Sequence, residues 1–439
     1  MKKSLGFGKS ATSSKAVASI GLVALTLLLI PYIYLYENVT KLMGASLHNN
    51  SPHLWLDIVN YAEGIAGWKV SLLELLYLAQ MVKGGATLVE PCMVSGRLGS
   101  CGRQSEHRRG IPVSEIFDLD EYMTLSDDGS YPLMVPYYDY QRILLGNTNM
   151  AKVCMAKNSK YAEKRCTKDA SWIMEMKQNN IQRMLEDKGN QEHFILHMED
   201  YWKGGVYELG WQLGMYILND KQERFVKGME IPPIDVATIP FHPKHEQFVD
   251  DLLQEGNITT NNFSVIHWRA EKKGMDFMRC ARAINEAKHI LLRKMKTNAT
   301  VKEESSQQHK FVLMSSLNEN EDMMWSGSRR IVNSTANGTT LAQHALQYLL
   351  RENGFIKIDG LLEVQTKNSS YNDLGMLAIY DLIIATKANN FATCTRDGCN
   401  KETKRLCDMC NHLGSFGRLA VSLREHHVDQ RGSYECWPQ

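Results

Sequence analysis

The chain predicts an α/β protein of two Rossmann-like lobes behind an N-terminal transmembrane signal anchor, and three observations carry that expectation. An uncharged, mostly apolar run from Ala16 to Tyr36 follows a short lysine-bearing tail. Short apolar strands alternate with helical patterns through the C-terminal half, which is the pattern of a mostly parallel sheet. A glycine loop, a helix and an apolar strand within residues 62–90 supply the parts of a βαβ unit in the N-terminal half as well. A length of 439 residues accommodates both lobes. Lys+Arg 50 against Asp+Glu 49 leaves the charge nearly balanced, and no dense basic tract marks a nucleic-acid partner.

The N-terminal segment comes first. Lys2, Lys3, Lys9 and Lys15 precede the apolar run, which ends at Glu37. The run is long enough to span a bilayer, and its lysines place the tail in the cytosol. A cleaved signal peptide is the rival reading, but its apolar core would be unusually long and no small-x-small site follows closely. The expected organisation is a cytosolic tail over 1–15, an anchor over 16–36 and a stem over 37–55. An N-terminal lobe over 56–240 and a C-terminal lobe over 241–439 follow, both lumenal.

Two features agree with a lumenal chain. Asn38, Asn257, Asn262, Asn298, Asn333, Asn337 and Asn368 each begin an Asn-x-Ser/Thr triplet, as does Asn49 ahead of Pro52. The chain has 10 cysteines, an even count that permits disulfides in an oxidising compartment. Cys92 with Cys101 and Cys154 with Cys166 are the local pairs to expect first.

After the stem, Glu63-Gly64-Ile65-Ala66-Gly67 is a glycine loop, and Val70 to Val82 carries apolar residues at helical spacing. Lys83-Gly84-Gly85 stops that helix, and Ala86 to Glu90 is a strand closed by Pro91. Residues 92–160 show no repeat and no clear period. Trp172 to Asp187 reads as a helix. The proline-rich segment from Ile231 to Pro243 is the expected boundary between lobes. Phe248 to Leu253 is helical and leads to a strand at 263–267. Asp276 to Met295 is a long amphipathic helix, Lys310 to Ser315 a strand, and Thr340 to Arg351 a helix ended by Asn353-Gly354. Phe355 to Ile358, the helix Leu374 to Ala385 and the strand Phe391-Ala392-Thr393 complete the alternation.

The candidate chemistry clusters at strand ends. His267 and Arg269 follow the buried strand residues Val265 and Ile266, and strand alternation puts both on one face. A guanidinium at the C-terminal edge of a parallel strand suits bidentate phosphate binding. Taken by themselves, these two residues read more simply as a satisfied core histidine and a surface arginine. Gly414-Ser415-Phe416-Gly417 opens a helix and offers free N–H groups to a phosphate, although capping is the default meaning of Gly-Ser. Cys394, Cys399, Cys407 and Cys410 lie in an apparent loop. They admit a zinc site, through the Cys-x-x-Cys at 407 and 410, or two disulfides, which a lumenal setting favours.

Three blocks give a resemblance. Glu63-Gly64 precedes the first helix; His267-Trp268-Arg269 ends a strand; Asp381-Leu382-Ile383 with Phe391 leads to Ser415-Phe416. In this order they resemble the GDP-fucose protein O-fucosyltransferases, inverting glycosyltransferases of the two-lobed GT-B type. The resemblance implies a Golgi or endoplasmic reticulum enzyme that is single-pass type II. Its donor is GDP-fucose, its acceptor a protein or glycan hydroxyl, and it has no obligatory metal or other cofactor. It implies that Arg269 stabilises the leaving GDP and that His267 positions the nucleotide. Asp381 would accept hydrogen bonds from guanine, Ser415 would contact phosphate and Phe416 would pack at the nucleotide. Gly64 belongs to the same binding set, and Glu63 takes the place of a general base. Two departures bear on acceptor and donor sugar. Ile65 to Lys69 replaces the usual Asn/Arg-rich segment, with Lys69 as the substitute cation, and a cysteine-rich insert separates Phe391 from Ser415. A related transferase for another nucleotide sugar, a non-catalytic tethered binding protein and a zinc module at 394–410 are the competing expectations.

Overall fold

The structure is a computed structural model. It describes residues 53–58, 69, 72, 75–76, 79, 86–94, 97–101, 110–124, 132–146, 150–156, 172–175, 193–198, 216–218, 224–226, 229–230, 239–259, 262–270, 275–298, 309–315, 317, 323–326, 329–332, 336–358, 374–394, 399, 401–410, 415–427, 432–434 and 436–438. The anchor at 16–36, the tail before it, most of the stem and the Cys166 of the expected Cys154–Cys166 pair lie outside these residues. Among the described residues, no helix is long and apolar enough to cross a membrane.

Two parallel sheets organise the chain. The N-terminal sheet comprises β1 (His53–Ile58), β2 (Ala86–Val89), β3 (Met134–Val135), β4 (Met150–Ala156), β5 (Trp172–Glu175) and β6 (His193–Met198), in the spatial order β3-β2-β1-β6-β4-β5. Every pairing in it is parallel. The helix α1 (Tyr137–Gly146) follows β3. Leu72, Leu75, Leu76 and Ala79 are helical and buried, so the helix expected over Val70 to Val82 is present, but of the apolar stripe read from the sequence (Val70, Leu73, Leu76, Leu78, Met81) only Leu76 is among these buried residues. Two expectations need correction. β1 begins inside the range assigned to the stem. Trp172–Glu175 is a strand and not the start of a helix, because parallel pairing with β4 overrides the helix-friendly Met and Glu of that segment.

The C-terminal sheet comprises β7 (Phe263–Trp268), β8 (Lys310–Ser315), β9 (Phe355–Ile356), β10 (Asn390–Ala392) and β11 (Gly432–Tyr434), in the order β9-β8-β7-β10-β11. These strands too are all parallel. The chain winds outward from β7 to β9, returns to β10 beside β7, and winds the other way, so the sheet is doubly wound and reverses between β7 and β10. Five of the six residues of β7 are buried, as expected for a central strand covered on both faces.

Helices cover both faces. α2 (Pro243–Glu255) starts with Pro243 at its first turn, and the His242 side chain accepts from Lys244 N. α3 (Phe277–Asn298) buries Cys280, Ala281, Ile284, Ala287 and Leu291 along one stripe. Such aliphatic burial stabilises by roughly 1.5–3 kcal/mol for each large side chain. α4 (Ala336–Gln347) runs into a π-helical turn at Tyr348–Glu352. α5 (Leu374–Lys387) is apolar nearly all round, since it lies against the sheet and between α2 and α7 (Ser415–His427). α6 (Lys401–Cys410) occupies the segment expected to be a loop.

The lobes meet where the chain crosses at Ile239-Pro240-Phe241. Asp118 N donates to Pro240 O at 3.0 Å and His242 N to Ile116 O at 2.9 Å. Phe117 and Phe241 pack with ring centroids 5.4 Å apart. Lys69 is buried in this seam. Its Nζ donates to Ile239 O at 2.9 Å and sits 4.9 and 5.0 Å over the Phe117 and Phe241 rings. Lys69 is therefore an internal strut between the lobes and not a substitute phosphate ligand.

Candidate active site at the switch point

The strand ends of β7 and β10 face each other across the reversal of the C-terminal sheet. His267 is the fifth residue of β7, and Arg269 lies just past the strand, partly buried. Thr393 follows β10 and is fully buried. Nδ1 of His267 and Oγ1 of Thr393 share a 2.9 Å hydrogen bond across the reversal. Phe391 stacks on His267 at 6.4 Å, and Phe416, from the first turn of α7, packs on it at 5.0 Å. Burial, with the Arg269 charge second, pushes His267 down to about 3. The imidazole is thus neutral at physiological pH, and Arg269 beside it is the cation at this strand end.

α7 approaches this cluster closely because Gly417 has no side chain. A Cβ there would lie 2.5 Å from Thr393 Oγ1 and 3.1 Å from its Cγ2. The glycine lets the first turn of the helix press on the residue that tethers His267. Trp437 closes the other side and donates its Nε1–H to His267 O at 3.2 Å. Thr393 N donates to Tyr434 O at 2.9 Å. Both strand ends are therefore fixed by the C-terminal segment.

Disulfides tie that segment down. Cys280 pairs with Cys410, Cys394 with Cys407, and Cys399 with Cys436, while Cys92–Cys101 closes the antiparallel turn after β2, as expected. Among the described residues no cysteine is free. Disulfides, the favoured reading for Cys394, Cys399, Cys407 and Cys410 over a zinc site, are what the structure shows, but as three bridges and not two within the set. All four sulfurs are consumed in disulfides, with Cys280 and Cys436 as partners outside the supposed ligand set, and Cys407 and Cys410 sit on a helix. The Cys399, Cys407 and Cys436 sulfurs do converge within 4.8 Å, but as members of adjacent disulfides. Trp268 Nε1 donates to Cys410 O at 2.8 Å, so this cap also holds the strand that carries His267.

Of the residues singled out in the sequence, His267 and Phe416 are in contact, Arg269 is two positions on, and Ser415 is the first residue of α7 beside them. Asp381 stands in the middle of α5, partly buried between the buried Tyr380 and Leu382. Glu63 and Gly64 lie outside the described residues. Thr393 and Trp437 lie outside the residues singled out in the sequence, and Gly417 belongs to the Gly-Ser turn but takes a different part, as the point of close approach to Thr393. Thr393 carries a sequence signal, as a hydroxyl at the end of an apolar strand.

Open doubly wound sheets bind ligands outside the strand ends at such a reversal. No protein family matches the chain, and no curated protein does. Among solved structures it is similar to the crystal structure of the fucosyltransferase NodZ from Bradyrhizobium, at 10% identity and a TM-score of 0.31, over 82% of this chain and 94% of that one. The structure of NodZ α-1,6-fucosyltransferase co-crystallised with GDP gives 10% identity and a TM-score of 0.30, over 82% and 93%.

Proposed function

We propose that the chain is a membrane-anchored glycosyltransferase that moves fucose from GDP-fucose to a hydroxyl of a protein or glycan, with inversion. The observation that carries the phosphate-binding part is the placement of His267, Arg269, Thr393 and the start of α7 around the single reversal of the C-terminal sheet. Arg269 supplies fixed positive charge there, and the first turn of α7 supplies N–H groups. The choice of GDP and fucose is supported by the three ordered sequence blocks. Golgi or endoplasmic reticulum placement rests on the apolar run at 16–36.

In this reading the acceptor oxygen attacks the anomeric carbon from the face opposite the nucleotide. The new C–O bond forms as the bond to the β-phosphate oxygen breaks. GDP leaves with the electron pair, Arg269 compensates the charge that develops on it, and Glu63 takes the acceptor proton. Neutral His267 and Phe416 pack the nucleotide, Ser415 contacts phosphate, and Asp381 accepts from guanine. Gly64 leaves room for the donor.

Calorimetry with GDP, UDP and their sugars tests the donor, with GDP and GDP-fucose expected to bind most tightly; preference for UDP sinks the fucose assignment. Arg269→Ala is expected to lower transfer about a hundredfold to a thousandfold, with the melting temperature unchanged. A variant with full activity removes Arg269 from the mechanism. Binding of GDP-fucose without turnover on any acceptor, unaffected by Glu63→Gln, identifies a non-catalytic binding protein instead.

A further inference from the structure

We propose that Asn257 carries an N-linked glycan and that Asn262, in the next triplet, does not. The sequence places them alike, in Asn257-Ile258-Thr259 and Asn262-Phe263-Ser264. The structure separates them.

Asn257 follows α2 in the left-handed conformation, with φ 52°, which asparagine tolerates better than most non-glycine residues. Its main chain is fully engaged. The N–H donates to Gln254 O at 2.9 Å, and the carbonyl accepts from Lys310 Nζ at 2.8 Å. The turn is thus held by backbone contacts, and the residue is exposed. Ile258 points the other way. It is buried, and its N–H donates to Leu253 O at 2.7 Å. Thr259 is exposed again. The amide and hydroxyl that a glycan transferase reads therefore sit outward, with the middle residue as an anchor.

In the second triplet Asn262 is partly buried, and its Oδ1 accepts from Thr259 N at 2.9 Å. Its hydroxyl partner Ser264 is fully buried within β7. Ser264 Oγ shares a 2.9 Å hydrogen bond with His309 Nε2 and accepts from Asn390 Nδ2 at 3.0 Å. A glycan at Asn262 would have to leave from a turn that its own amide holds closed.

The modification forms a bond from Asn257 Nδ2 to the anomeric carbon of a lipid-pyrophosphate-linked oligosaccharide. The sugar–pyrophosphate bond breaks, the lipid pyrophosphate leaves with the electron pair, and one amide proton passes to the transferase's base. The inference shares with the functional reading only the lumenal placement of the chain. Asn257 precedes β7, whereas His267 and Arg269 lie at its far end, roughly 20 Å away along a six-residue strand. A glycan there leaves the crevice open.

The full chain would be expressed in cultured animal cells, purified, and treated with peptide N-glycosidase in water labelled with heavy oxygen. Peptides spanning both triplets would then be read by mass spectrometry. Labelled aspartate is expected at Asn257 and unlabelled asparagine at Asn262. Thr259→Ala, which keeps Asn257 and its turn, should abolish the label there and increase gel mobility by one glycan. GDP affinity should be unchanged by deglycosylation. Unlabelled Asn257, labelled Asn262, or equal mobility of Thr259→Ala and the parent overturns the proposal. A labelled Asn257 in protein that binds no GDP strikes the functional reading alone.

Discussion

The two parallel sheets use their reversals differently. In the C-terminal sheet the ends of β7 and β10 present a neutral imidazole, a guanidinium and a phenyl ring around a crevice. In the N-terminal sheet the end of β2 is filled by the lobe's own side chains. Glu90, just past β2, is buried and accepts from both N and Oγ of Ser114. Trp55 packs on Tyr140 at 5.6 Å beneath α1, and burial together with the Asp57 carboxylate pushes the Tyr140 phenol up. In both lobes a polar group at a strand end is paired inside the protein. What differs is the partner, a hydroxyl across the sheet reversal for His267 and a neighbouring turn for Glu90.

The largest test of this contrast is Arg424. It is buried in α7, and its guanidinium donates to Ala385 O, Ala388 O, Asn389 O, Gly432 O and Ser433 Oγ. It caps the end of α5 and ties it to β11. Arg424→Leu leaves those carbonyls buried without a donor and should cost about 3–5 kcal/mol in denaturant unfolding. A loss below 1 kcal/mol, on the scale of an exposed pair, would mean the clamp is incidental.

Gly417→Ala comes next. The added methyl meets Thr393, which cannot swing away inside the core, so overpacking of about 1–3 kcal/mol is expected. GDP affinity should also fall about tenfold, because the Thr393–His267 hydrogen bond is displaced. Thr393→Val, which removes the hydroxyl and keeps the shape, should reproduce the affinity loss with a smaller stability loss. Unchanged affinity in both variants would detach Thr393 from the ligand site.

The smallest effects concern pH, and they have opposite sign in the two lobes. His267 is lowered to about 3 by burial and the Arg269 charge, so its contribution is complete above its ordinary 6.5 and is lost as pH falls from there toward 3. Glu90 is raised, chiefly by burial. Its ionisation opposes folding at neutral pH, and stability is regained as pH falls through the raised value toward 4.5. Each proton is worth at most about 1.4 kcal/mol per pH unit. Protection factors, taken against intrinsic exchange at each pH, should therefore fall in peptides of β7 and rise in those of β2 between pH 7 and pH 5. Glu90→Gln should flatten the β2 response alone; parallel responses in both peptides would refute the assignment.

The C-terminal lobe was the more legible. Its strands are compact apolar runs, and α3 shows a clean helical stripe, so propensity and burial agree. β4 and β6 carry Lys152, His193 and His197 within short segments, and only pairing between distant strands makes them a sheet. β11, Gly432-Ser433-Tyr434, has no apolar signal at all. Cys92–Cys101 was readable because its partners are near in sequence, whereas Cys280–Cys410 spans 130 residues. At the site, His267 and Phe416 stood out by residue type. Thr393 and Gly417 acquire meaning only from each other, which no spacing rule encodes.

The dependence of the crevice on β11 and Trp437 sets an order on the birth of the protein. Both leave the ribosome after every other strand of the two sheets. Until then β10 lacks its outer neighbour, Cys399 lacks Cys436, and the carbonyl of His267 lacks its indole. The N-terminal sheet is complete long before. A chain cut short by a late stop codon would release a protein with one finished lobe and an unlatched crevice, a natural substrate for quality control.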